Sequence, residues 1–279
     1  MDNTKGLLDG KDLIPKNNLM EQIDKMKLER LSKKENGSKV AAFFDFDKTL
    51  IEGDSQHLES LSLLSKPCIW PNVCFFFRTV RTGVIDLLSS SSHSNKDEEE
   101  DAEKKFRKLY DASISGYKGF PISILEEHAT TLYQEDLKPK LYKQMLERVE
   151  KHRQEGHLVF LISASPHHLL EPFCQDVSFD DWIGTSLETE SNAKIDESTC
   201  TTISTGKVDA EIMFGENKVK FAQQMAEKWD IDLEHSYFYS DHHTDIPLLN
   251  AVGHPIAVNP SKKLEETSKE KKWPVLWLD

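Results

Sequence analysis

Paired cysteines are missing from this sequence: Cys68, Cys74, Cys174 and Cys200 are scattered and none forms a CxxC unit. That spacing fits reduced thiols inside the cell better than a disulfide framework or a structural zinc site. A basic excess is missing too. Thirty-five Lys and Arg stand against 48 Asp and Glu, a net charge of −13, so the overall field repels nucleic acid and anionic membrane. A phosphate-bearing ligand would need a locally positive pocket. Long apolar runs are absent as well. The best candidate, CIWPNVCFFF at 68–77, is roughly half of the ~20 residues a membrane span needs, so no span is expected. It is read as packing inside a helical subdomain or as lining an apolar substrate pocket. The start, MDNTKGLLDGKDLIPKNN, has no apolar core of the secretory kind, so the mature chain is expected to begin where written. No internal repeat is visible.

What remains is a 279-residue acidic chain, enough for one main core with a smaller insert. Residues 1–38 read as a polar extension with an amphipathic helical stretch from Leu19 to Leu31. KVAAFF then reads as a buried strand, followed by a section with helical character, 56–136. Within it, 89–105 (SSSSHSNKDEEEDAEKK) is a low-complexity segment expected to be a mobile loop. From Lys138 the pattern becomes regular. A helix with Leu141, Met145 and Val149 on one face stops at Gly156, and the strand HLVFLIS comes after it. A helix with Pro166 in its first turn, the strand DWIGTSLE, a hairpin arm near Gly206, and the helix NKVKFAQQMAEKWDI come next. The strand SYFYS, the helix DIPLLNAV, and the strands PIAVN and WPVLWL complete the chain. Short strands, apolar on both faces and alternating with helices, predict an α/β fold with a parallel sheet covered on both sides.

In such a sheet, ligands bind at the carboxyl ends of the strands. The polar residues at the ends of the apolar strands are Asp45 and Asp47, then Ser163, then Ser240 with Asp241. Asp45 and Asp47, two apart on extended backbone, face the same side, and in apolar surroundings unpaired carboxylates are costly unless a cation joins them. A hard cation such as Mg²⁺, held by one or two carboxylates plus a phosphate, matches Asp45 and Asp241. Asp245, four residues on and just before Pro247, is either a group behind those ligands or a helix cap with Thr244. For the cation that faces phosphate, the helical period favours Lys218 over Lys220. Val219, Ala222, Ala226 and Trp229 are taken as the apolar stripe, Lys218 lies on its flank, and Lys220 shares the wet face with Gln224 and Glu227.

Together these residues resemble the haloacid dehalogenase superfamily, and within it the subfamily IB phosphatases that include phosphoserine-phosphatase-like hydrolases. The motif DxDx[T/V] stands as Asp45-Phe-Asp47-Lys-Thr49, the strand ending in Ser or Thr as LVFLIS with Ser163, the lysine as GENK with Lys218, and the acidic pair as SDHHTD with Asp241 and Asp245. The resemblance covers 40–60 and 138–279. It implies a Rossmann-like catalytic core over 39–55 and 137–279, with a helical cap, 56–136, inserted after the first strand. It further implies Mg²⁺ on Asp45, the Asp47 backbone carbonyl and Asp241, with Asp245 behind them. A phosphate site of Thr49, Ser163, Ala164 and Lys218 is implied as well. Asp45 would be the nucleophile, forming an aspartyl-phosphate, and Asp47 the general acid and base, held protonated by crowding of the two carboxylates. Lys48 stands where many relatives have glycine.

Two histidine pairs, His167-His168 and His242-His243, flank the second and fourth motifs. A metal role competes with a structural one, which the divergence of adjacent side chains favours. Arg78 and Arg81 in the cap are candidates for gripping a charged headgroup, or else lie on a solvated surface. The expected function is a Mg²⁺-dependent phosphomonoesterase acting on a small phosphorylated metabolite. Phosphatase action on a lipid-derived phosphate, transfer to an alcohol acceptor, and a non-catalytic ligand-binding module on the same fold are the alternatives. Oligomeric state is not legible.

Overall fold

A computed structural model of the chain describes residues 38–65, 107–192 and 201–278. The amphipathic stretch within 1–38, the apolar run at 68–77, the segment 89–105, and Arg78 and Arg81 lie outside the described residues. The chain divides into two units, Met1–Ser38 and Lys39–Asp279, and the elements and sites described belong to the second.

Strand β1, Ala41–Phe44, has all four residues buried. It therefore needs neighbours on both edges and cover on both faces. β2 (Leu158–Pro166) and β6 (Tyr237–Ser240) pair with it in parallel on either side. Outside them stand β3 (Asp181–Thr185), β7 (His254–Val258) and β8 (Val275–Leu276), giving a six-stranded parallel sheet in the order β3-β2-β1-β6-β7-β8. The chain leaves β1 towards β2 and later returns on the other side at β6, so strand order reverses at β1. In open α/β sheets a ligand crevice opens at such a reversal.

The helices are α1 (Ser55–Ser65), α2 (Ile122–Leu132), α3 (Lys143–Gln154), α4 (His167–Val177), α5 (Glu216–Trp229), α6 (Ile246–Ala251) and α7 (Lys262–Lys271). Residues 107–114 are helical too. Met145 and Val149 on α3 bury against the sheet while Leu141, just ahead of the helix, packs at its edge. Gly156, at φ +82°, ends that run, a conformation glycine adopts without steric cost. The main apolar cluster includes Phe44, Phe46, Leu161, Phe173 and Tyr239, with the Phe44 and Tyr239 rings stacked at 4.7 Å.

A second cluster lies apart from the first. Leu63, Tyr110, Ile114, Tyr117, Phe120 and Leu125 pack with Ile212 and Phe214. An antiparallel hairpin of β4 (Leu187–Asn192) and β5 (Thr201–Val208) joins this group, since Gly119 N donates to Ser204 O and Ser204 N donates to Phe120 O. The arm expected near Gly206 is thus β5, and its partner β4 had no signature of its own.

Three local expectations need correction. Pro166 is not in the first turn of α4. A register shift between Ile162 and Pro166 carries β2 on to Pro166, so the proline precedes the helix. The buried face of α5 is Lys218, Phe221, Ala222 and Met225 rather than a Val219–Trp229 stripe. Positions i, i+3, i+4 and i+7 form one face, and the lysine belongs to it because its ammonium finds carboxylates there. Asp245, finally, precedes α6 without capping it by its side chain.

Candidate active site

β1 ends at Phe44, and the next residues turn sharply: Leu50 N bonds Phe46 O, and Lys48, at φ +55°, donates its N–H to Gly53 O. A side chain in that left-handed conformation is strained, which is the physical reason glycine suits the position. The turn leaves Asp45 and Asp47 both facing a cleft of about 190 Å³. Ser163, Ala164 and Ser165 from β2, Lys218 from α5, and Asp241, His242, Thr244 and Asp245 after β6 line the same space. The edge of strand ends read from the sequence is therefore one site.

Lys218 is the hub. Its Nζ lies 2.7 Å from Asp245 Oδ2 and 3.0 Å from Asp45 Oδ1, with its side chain only 2% exposed. Burial opposes its charge, but Asp245 and Asp45 outweigh that and hold its pKa above the ordinary lysine value. Lys220 points outward to Glu211 and Asn217. Ser240 Oγ donates to Asp245 Oδ2 at 2.7 Å, so Asp245 is a buried bracket between α5 and β6.

The carboxylates are not fully neutralised. Asp45, Asp241 and Asp245 face a single ammonium at the centre, and Lys48 stands at the rim. Burial, and then Asp45 and Asp245, push Asp241 up to about 8. Burial and Asp245 raise Asp45 to about 6 against the pull of Lys218. Asp245 Oδ1 is buried with no hydrogen-bond partner among the described residues. An under-neutralised, all-oxygen donor set of this kind fits a hard divalent ion such as Mg²⁺.

Asp47 is held differently. Its Oδ1 accepts the Ser55 N–H at 2.7 Å, and its Oδ2 accepts the Ser165 hydroxyl, which also lies 3.1 Å from Ser55 Oγ. Its pKa rises to about 7 from burial and then from Asp54. The expected cause, crowding by Asp45, is not the operative one. Asp54, which lines the same cleft, supplies the like charge.

Among the other residues singled out in the sequence, Ser163 is buried and accepts the Ser165 N–H at 3.1 Å. The Ala164 carbonyl accepts the Tyr110 hydroxyl. Thr49 is fully buried, its Oγ1 without a partner among the described residues. Only the first histidine pair diverges as expected; the rings of His242 and His243 stay together, their centroids 4.2 Å apart. His168 is buried against Glu59 at 2.9 Å while His167 stacks on Trp182, and His242 lines the cleft with its Nδ1 2.9 Å from Thr244 Oγ1. Burial pushes His242 down to about 4, so it is neutral there. Sequence reading missed Ser55, Ser165, Asp54 and Tyr110. GDS and ISASP, in which three of these lie, were visible as motif flanks, but nothing local says that two serines converge on Asp47.

Known proteins resemble this chain in sequence and in fold. Residues 42–250 match the family model of haloacid dehalogenase-like hydrolases. A histidinol-phosphatase of Neisseria meningitidis serogroup C is 28% identical, over 85% of this chain and 98% of that one. A phosphoserine phosphatase of Mycobacterium tuberculosis is 25% identical, over 85% and 70% respectively. Among solved structures, a Bordetella pertussis protein of unknown function superposes with TM-score 0.66 at 22% identity, covering 86% of this chain and 99% of that one. A substrate-bound phosphoserine phosphatase does so with TM-score 0.59 at 16% identity, covering 87% and 94%. What these structures share with the chain is the fold, a parallel α/β core.

Proposed function

The chain belongs to the haloacid dehalogenase-like hydrolase family, as an enzyme of its phosphatase branch, and we propose that it hydrolyses a small, amine-bearing phosphomonoester through an aspartyl-phosphate on Asp45. One observation carries this reading: Asp45, Asp47, Lys218 and Asp241, from three distant stretches of sequence, line one cleft in which Asp47 has hydrogen-bond donors on both carboxylate oxygens. Asp45, paired to Lys218, is the nucleophile. Its oxygen forms a bond to phosphorus as the bond to the leaving oxygen breaks, and Asp47 gives that oxygen a proton. Asp47 then takes a proton from the water that cleaves the acyl phosphate. A value near 7 lets one group do both at neutral pH.

Lys218, the Ser163 hydroxyl, and the backbone at Phe46 and Ala164 would face the phosphoryl oxygens, where fixed donors stabilise developing charge. Asp45, the Asp47 carbonyl and Asp241 would hold Mg²⁺, with Asp245 fixing Lys218 behind them. Bound there, the ion neutralises charge on the transferring group. We take 39–55 with 137–279 as the catalytic core and 56–136 as the cap. The second apolar cluster draws mainly on 63–125; Ile212, Phe214 and the β4–β5 hairpin join it from the core's stretch of sequence, while Ala129, Leu132 and Tyr133 pack with the main cluster. No helix among the described residues is long and apolar enough to cross a membrane, and we place the enzyme in the cytoplasm on its cysteine usage.

The amine is argued from charge. With Mg²⁺ and a phosphate in place, Asp54 at the cleft wall is left facing the substrate, and a cationic group answers it. Phosphoserine and histidinol phosphate, named in the relatives, both carry one. Phosphate release from these two, from sugar phosphates and from an aryl phosphate tests the reading. Amine-bearing substrates should have the highest kcat/KM, and Asp54→Asn should erase the preference. Inactivity of the Mg²⁺-loaded chain on every phosphate would overturn the hydrolase reading.

A further inference from the structure

We propose that a d-block divalent ion of the zinc class binds at His152, His157 and Glu155, at the end of the sheet opposite the catalytic cleft. His157 directly precedes β2, whose far end carries Ser163. At ~3.3 Å per residue the two ends are about 20 Å apart, so this is a separate place in the fold.

The local chain builds the site. α3 ends at Gln154, Gly156 turns the backbone at φ +82°, and His157 N donates to His152 O at 2.9 Å. That turn sets the two imidazoles side by side, with their Nδ1 atoms 2.8 Å apart. Two nitrogens bound tetrahedrally to an ion at ~2.05 Å would lie about 3.3 Å apart, so the two rings need to part by only about half an ångström for an ion to enter between them. Glu155 Oε2 lies 3.8 Å from His157 Nδ1 on a side chain 44% exposed, able to swing inward. All three donor atoms already lie within 4.8 Å of one another.

Partners behind the ligands are present too. His152 is buried, and its other nitrogen, Nε2, meets the Tyr239 hydroxyl at 2.9 Å, which fixes the ring in the way metal-bound imidazoles are fixed. The Tyr237 ring packs against both histidines. Burial holds His152 down at about 4 and lowers His157, so both rings are unprotonated at neutral pH, as ligation requires. Lys151, 3.8 Å from Glu155 Oε1, gives up that carboxylate when the ion enters, and Arg148 stays over the Tyr239 ring. The competing arrangement is a proton shared between the two Nδ1 atoms. Donor chemistry separates this site from the cleft, since imidazole nitrogen selects zinc-class ions whereas the all-oxygen cleft selects Mg²⁺.

The test uses the untagged full-length chain with excess Mg²⁺ to occupy the carboxylates. Co²⁺ titration followed by visible absorption, and Zn²⁺ titration by calorimetry, should each show one tight site per chain, with Zn²⁺ raising the melting temperature. His157→Ala should weaken binding at least tenfold, and Glu155→Gln by less. Asp241→Asn should leave it unchanged. Circular dichroism checks that His157→Ala is folded, and His157→Asn serves if it is not. No tight Zn²⁺ or Co²⁺ binding by the wild type would overturn the proposal. So would binding that survives the His157 variants or disappears with Asp241→Asn.

Discussion

Lys218 lies closer to Asp245 than to Asp45, 2.7 Å against 3.0 Å, so the residue behind Asp45 is the firmer anchor of the lysine. The acidic pair after β6 thus divides its work. Asp241 faces the cleft, and Asp245 fixes the cation that Asp45 shares.

Removing that cation should be felt in the fold. Lys218→Ala leaves two buried carboxylates without their partner, and breaking a buried pair from one side costs about 3–5 kcal/mol. Chemical denaturation at neutral pH should show a loss of that order, part of which returns as the pH is lowered and the carboxylates take up protons. Lys218→Arg should be poorly tolerated too, because a planar fork does not occupy the space of a point charge.

The proton carried by Asp47 gives a leaving-group signature. Asp47→Asn removes a positioned acid worth roughly 10²- to 10⁴-fold. The loss should be large for alkyl phosphates, whose leaving oxygen needs the proton, and much smaller in the phosphorylation step with a nitrophenyl phosphate. Burst kinetics on the two substrate types measure this, and equal losses on both would remove Asp47 from the acid role.

Ser165 tunes the same group. Its hydroxyl donates to Asp47 and favours the charged form, so Ser165→Ala should raise the Asp47 pKa above about 7. The alkaline limb of kcat/KM, where the acid form is lost, should move to higher pH. An unmoved limb would show that the limb belongs to another group.

Stability without metal should run against the usual carboxylate trend. Asp241, raised from 3.8 to about 8, binds a proton in the folded chain that the unfolded chain has released, and Asp47 and Asp45, at about 7 and 6, act in the same sense. The folded state therefore holds more protons between pH 4 and 8, and its stability falls as pH rises through that window. Thermal melts without metal should show this decline. Mg²⁺ should stabilise more at pH 8 than at about pH 5.5, because at the lower pH it must displace protons.

Gly184 on β3 presses on the catalytic strand. A Cβ there would stand 2.6 Å from Leu170 Cδ1 and 2.7 Å from the Ser165 carbonyl oxygen. Gly184→Ala should cost about 1–3 kcal/mol from overpacking and lower kcat by shifting Ser163 and Ser165. Denaturation midpoints and steady-state kinetics on the same preparation check both effects.

Much of this was legible before any fold was seen. Asp45, Asp47 and Asp241 stood out because carboxylates rarely sit at the ends of fully apolar strands without a reason, and strand ends in a parallel sheet gather on one edge. Of the two lysines weighed, Lys218 lines the cleft and Lys220 does not, although the stripe used to choose between them was displaced. Periodicity reports which residues share a face, while the buried carboxylates decide how that face is turned. Thr244 with Asp245 looked like a cap because the Pro247 context permits one, and only the position of Lys218 draws the side chain inward.

What the residues determined by themselves is the order of strands and helices and the kind of chemistry at the strand ends, because both are set by local apolar pattern and by the cost of burying charge. The tertiary structure alone decided the partners. It placed Ser55 and Ser165 on Asp47, made Asp54 rather than Asp45 the neighbour that raises it, and stood His152 beside His157. These contacts depend on how separate segments cross and turn in space, and a one-dimensional pattern of polarity carries no distance between them.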